Sequence, residues 1–135
     1  MTQEAATVTA RLQAATADLL WMSEIDAPLA VIHWPPLDGG LTPGRLLELT
    51  NHPLTTLVQE VEVDQFFAGA VEDQDWFGEE ERAIAQRYRN LVAILKESLG
   101  DLRVYRVGEI TIDCYVVGQI ELGDWLGLAT QVTET

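Results

Sequence analysis

The fold class turns on RVYRVGEITIDCYVVGQIELGDWLGLATQV, residues 103–132. Ile110, Ile112, Cys114 and Val116 alternate there with Thr111, Asp113, Tyr115 and Val117. Further on, Leu126, Leu128, Thr130 and Val132 alternate with Trp125, Gly127, Ala129 and Gln131. A period of two is the pattern of a strand with distinct faces. Residues 103–107 read as another strand, ended by Gly108, and residues 118–124 as a loop with turn chemistry. Three strands with short connections predict an antiparallel meander.

Moving towards the N-terminus, the period lengthens. Residues 79–99 predict a helix, with Ile84, Tyr88, Leu91, Leu95 and Leu99 on one stripe and Gly100 as its C-cap. Residues 2–20 predict another, with Val8, Leu12, Ala15 and Leu19 on the core side, Thr2 as N-cap and Glu4 in the first turn. It gives way at Trp21-Met22-Ser23-Glu24, and Pro28 forbids continuation. Residues 29–34 read as a strand closed by Pro35-Pro36, and Asp38-Gly39-Gly40 as a turn. Thr42-Pro43 opens a short helix over residues 43–50. Residues 57–63 read as extended and residues 64–70 as a short helix. Helices first, then mostly strands, give an α+β fold with helices covering the sheet. The length, 135 residues, suits a single domain spanning 1–135.

Charge narrows the function. There are 22 acidic and 8 basic side chains, a formal charge of −14, alongside 47% apolar residues. That apolar content supports a packed core rather than a disordered acidic tail. Phosphate contacts need a basic surface, so the expectation is no direct nucleic-acid binding. No membrane association is expected either, because no apolar run approaches the ~20 residues of a spanning helix. Residues 1–10 carry no basic cluster ahead of an apolar stretch, as a signal peptide would. The one cysteine, Cys114, cannot form an internal disulfide, which fits a reducing, cytoplasmic setting. The complementary partner is positively charged.

Catalytic and metal motifs are sparse. His33, His52 and Cys114 have no zinc-ligand spacing. Asp73-x-Asp75 resembles the start of a calcium loop, with Gly78 at the sixth position, but Ile84 stands where the bidentate Glu belongs. No phosphate-binding loop, dinucleotide fingerprint or nucleophile elbow occurs. Cys114 lies on an apolar alternation and reads as an inert buried thiol. The uneven feature is charge. Residues 60–81 hold nine acids and no base, and residues 107–135 hold five acids and no base. Such a surface either keeps the chain soluble or imitates a polyanion and docks into a basic groove. Asp75-Trp76-Phe77 sets aromatic bulk inside the acidic run, either as an interface anchor or as a staple of the following helix. Glu24, after an apolar run, is by its chemistry an exposed loop acid.

Taken together, Leu19-Leu20-Trp21-Met22-Ser23-Glu24, Gln74-Asp75-Trp76-Phe77, Val104-Tyr105-Arg106-Val107-Gly108-Glu109, Asp113-Cys114-Tyr115-Val116-Val117-Gly118 and Thr133-Glu134-Thr135 resemble the nuclease A inhibitor family, over nearly the whole chain. The resemblance implies an α-β-α sandwich with a central, mainly antiparallel sheet. It implies a non-enzymatic inhibitor of a sugar-nonspecific, Mg²⁺-dependent DNA/RNA endonuclease of the ββα-metal (His-Me finger) class, bound 1:1. Such an inhibitor sits in the substrate groove, mimicking phosphates with acidic side chains, and directs its C-terminal Thr at the catalytic metal. On this sequence the contact positions are Glu24, Asp75 and Trp76, and Thr135 is the metal-directed residue. The metal belongs to the nuclease, so no cofactor is expected in the chain itself. The alternative is an acidic interaction or chaperone-like adaptor for another basic protein, to which an intact Thr135 would be immaterial. A hydrolase would show turnover by the chain alone.

Overall fold

A computed structural model describes residues 2–134. In chain order the elements are α1 (Gln3–Thr16), β1 (Leu20–Trp21), β2 (Ala27–Pro28), β3 (Ala30–Trp34), α2 (Pro43–Leu49), β4 (Val58–Val61), α3 (Val63–Val71), α4 (Glu79–Ser98), β5 (Gly100–Val107), β6 (Thr111–Gln119) and β7 (Trp125–Thr133). The order β3-β7-β6-β5-β4 makes a five-stranded sheet with every pairing antiparallel. The predicted meander is its β5-β6-β7 half. β1 and β2 form a separate ribbon.

Strand alternation sorts side chains into two layers. Val104, Val116, Leu126 and Leu128 pack under α1, α3 and α4 with Leu12, Phe67, Leu91 and Leu95. Tyr105, Val107, Val117 and Trp125 face the other way and are covered by Leu46 and Leu47 of α2. The architecture is therefore an α-β-α sandwich in the α+β class. No helix among the described residues is long and apolar enough to cross a membrane.

Local chemistry sets most boundaries. Thr2 caps α1, its hydroxyl accepting from Ala5 N–H at 3.1 Å. Thr42 does the same for α2 through Arg45 N–H at 3.2 Å, with Pro43 in the first turn. At α4, Glu81 reaches back to accept the Gly78 N–H at 3.1 Å, and Glu79 and Glu80 share that first turn.

Four expectations need correction. The first helix stops at Thr16 rather than residue 20, because Asp18 takes a positive φ of 59° and Leu20 turns into a strand. Ile84 is off the buried stripe of α4, whose positions are Ala85, Tyr88, Leu91 and Leu95. Gly100 does not cap α4. Leu99 is the cap, Gly100 already opens β5, and the left-handed residue is Asp101, within a register shift of the β5–β6 pair. Gly118 belongs to β6, not to a loop; a Cβ there would come within 2.8 Å of the Gly100 carbonyl oxygen.

Candidate functional site

Of the residues that sequence singled out, Trp76 borders an apolar groove. Its floor is set by Trp21, whose ring stacks on Phe66 at 4.5 Å and meets Phe67 and Tyr88 edge-on at 5.4 and 5.6 Å. Aromatic pairs in these geometries stabilise beyond their buried area. The Tyr88 hydroxyl donates to the Leu20 carbonyl, tying β1 to α4. Burial pushes that hydroxyl's pKa up to about 12. The ribbon is held from the other side by Thr130, whose hydroxyl donates to the Pro28 carbonyl at 2.9 Å.

β1 therefore delivers a fixed loop. Met22, Glu24 and Ile25 are exposed on it. Ser23 curls it, donating its hydroxyl to the Ile25 carbonyl at 2.9 Å while accepting the Thr133 N–H at 3.0 Å. Across the groove, the turn between α3 and α4 closes with Phe77 N–H on the Gln74 carbonyl at 3.0 Å. Arg89 anchors its start through the Val71 carbonyl at 2.6 Å and Asp73 at 3.4 Å. Asp75 and Trp76 stand at its tip. Trp76 is 74% exposed and meets only Phe77 edge-on, at 4.7 Å between ring centres. It is therefore not the core staple that its sequence position also allowed. Between loop and turn lies a cleft of about 520 Å³ bordered by Met22, Phe66, Trp76, Phe77, Ile84 and Tyr88.

The third contributor is the end of β7. Val132 packs with Ile112 and Cys114, against Trp21 and Phe66. Glu134 donates its N–H to the Ile110 carbonyl at 2.9 Å, and its carboxylate meets Arg106 at 2.7 Å. Thr135, which the resemblance makes the metal-directed residue, lies outside the described residues. The Glu24 loop and the strand end are thus joined through Ser23, while Trp76 borders the cleft together with Met22. Sequence reasoning missed Ser23, Tyr88 and Phe66 as the supports of this site. Ser23 sat in a quoted motif, but a single hydroxyl gives no periodicity to read.

The acidic run is not uniform. Asp64 pairs with Lys96 at 2.6 Å, Asp73 with Arg89, and Glu81 caps α4. No ion pair among the described residues engages Asp75.

Nucleophilic and metal chemistry find little footing. Cys114 is buried, and desolvation pushes its thiol up to about 11, leaving it protonated at neutral pH. Thr50, His52 and Asp113 line up as hydroxyl, imidazole and carboxylate, with contacts of 2.7 and 2.7 Å. The Thr50 proton, however, goes to the Leu46 carbonyl at 2.7 Å, which can only accept. The imidazole therefore cannot serve as base to that hydroxyl; the trio pins the end of α2 to β6. His33 pairs with Asp124 at 2.6 Å. No cluster of three or more His, Cys, Asp or Glu fit to hold a metal occurs among the described residues.

The fold is thus an acidic α-β-α sandwich with an open, apolar-floored cleft bordered by Met22 and Trp76. Residues 6–135 match the family model for nuclease A inhibitor-like proteins, so the chain belongs to that family. At family level this supports a role of the nuclease-inhibitor type, with an endonuclease as the general kind of partner. A comparison with curated proteins found no match.

Proposed function

We propose that this chain is a protein inhibitor of a sugar-nonspecific, Mg²⁺-dependent DNA/RNA endonuclease of the ββα-metal class. It occupies the substrate groove 1:1, as a stoichiometric ligand rather than a catalyst, inside the cytoplasm. The observation that supports this reading is the exposed Trp76, which borders an apolar cleft together with Met22, while Ser23 ties the neighbouring Glu24 loop to Thr133 of β7. Glu24 and Asp75 accept the paired hydrogen bonds that arginine otherwise gives a phosphate. Trp76 fills a partner pocket and excludes water from those charges, which strengthens them. Thr135 brings a hydroxyl to the nuclease's Mg²⁺, a hard cation that takes oxygen ligands. No scissile phosphodiester is presented, so the plug is not cut. The −14 charge steers the encounter.

Removal of Thr135 tests the reading. Inhibition and the metal dependence of binding should both fall. An inhibition constant unchanged by the deletion would mean that the tail does not reach the metal, and would favour the acidic adaptor instead.

A further inference from the structure

The end of β7 is held more firmly than a terminal strand residue requires. β3 accompanies β7 only as far as the Ala30–Ala129 pair, so beyond that point β7 has a single neighbour in the sheet, β6. Backbone N–H groups of a strand point alternately to its two sides. The Glu134 N–H turns towards the β6 side and meets the Ile110 carbonyl at 2.9 Å. The Thr133 N–H points the other way, where β3 no longer runs. Ser23 fills that vacancy at 3.0 Å. Its hydroxyl has one proton to give, and that goes to the Ile25 carbonyl at 2.9 Å, so both the donor and an acceptor role are used. The same oxygen thus curls the loop that presents Glu24 and fixes the strand that leads to Thr135. Arg106 adds a second hold, reaching from β5 across β6 to Glu134 at 2.7 Å on the face that carries Cys114.

We propose that Ser23 is a positioning residue that holds the Glu24 loop and the Thr133–Glu134 strand end in fixed register, with Arg106 steadying Glu134. This rests on the inhibitory function proposed above and deepens it: neither side chain need touch the nuclease. A strand end without these holds frays, and each residue ordered only on binding subtracts from affinity. Holding Thr133 and Glu134 in place beforehand reduces that loss.

The test compares Ser23→Ala and Ser23→Thr in the full chain and in a chain lacking Thr135. Readouts are the inhibition constant against a Mg²⁺-dependent ββα-metal nuclease and amide exchange at Thr133. In the full chain, Ser23→Ala should weaken inhibition about tenfold, a change of ~1.4 kcal/mol, and speed Thr133 exchange. Ser23→Thr, which keeps the hydroxyl, should restore most of both. Without Thr135, the loss caused by Ser23→Ala should shrink. A loss undiminished by the deletion, or no loss in the full chain, overturns the inference while leaving the inhibitory function standing. A wild-type chain that fails to inhibit overturns both.

Discussion

Trp76 carries a large apolar side chain into solvent, and that exposure separates its proposed role in binding from any role in folding. Trp76→Ala should leave the urea midpoint nearly unchanged, since little packing is lost. It should weaken nuclease inhibition by roughly 2 kcal/mol, the size expected of an aromatic hot spot. Glu24→Ala should lose a comparable amount of inhibition. Unchanged inhibition in both variants would remove these residues from the interface. The sequence showed Trp76 and Glu24 as chemistry but not their exposure. An aromatic just ahead of a helix is equally suited to stapling it, and only the three-dimensional turn decides. Ser23 was invisible for a different reason: its two hydrogen bonds join residues 110 positions apart and 2 positions apart, and only the nearer has a sequence signature.

At the scale of elements, strands with strict alternation were legible. Ile112, Cys114 and Val116 sit on one face, as their period of two required. Caps were legible too, because Thr2 and Thr42 act through neighbours three residues on. The β1–β2 ribbon was not: two residues per strand leave no period, and what holds it is the distant pair of Tyr88 and Thr130. Tyr88→Phe keeps the ring but frees the Leu20 carbonyl. It should cost about 1 kcal/mol of stability and reduce inhibition by loosening the Glu24 loop. Inhibition that survives unaltered would show the loop to be held by Trp21 stacking alone. Gly127 also escaped sequence reading as a strand requirement. A Cβ there would fall 1.8 Å from the Val116 carbonyl oxygen, so β6 and β7 could not keep their spacing. Gly127→Ala should destabilise by roughly 2–3 kcal/mol, read as a lower urea midpoint; an unshifted midpoint would contradict the tight pairing.

For the whole molecule, burial sets an alkaline limit to stability. Tyr88 rises from 10.0 to about 12 and Cys114 from 9.0 to about 11, both chiefly through desolvation. Each group holds its proton more tightly folded than unfolded, so its contribution is complete below the unfolded value and is lost as pH climbs through the folded one. Stability should therefore decline across this window, and Tyr88→Phe should flatten the decline above 10.0. Equal slopes in the variant and the parent would contradict the assignment to Tyr88. The α+β class followed from sequence because helices preceded an alternating meander, whereas the α-β-α layering came only with the family resemblance. The link between the Glu24 loop and the end of β7 did not follow from sequence, because it depends on tertiary contacts through Ser23. Inhibition by a protein plug can be read in a DNA-cleavage titration. Purified chain is added to a Mg²⁺-dependent sugar-nonspecific nuclease of the ββα-metal class, with free Mg²⁺ in excess so that metal sequestration plays no part. Activity that vanishes near an equimolar ratio is the predicted result; cleavage that continues undiminished at large molar excess would contradict the account.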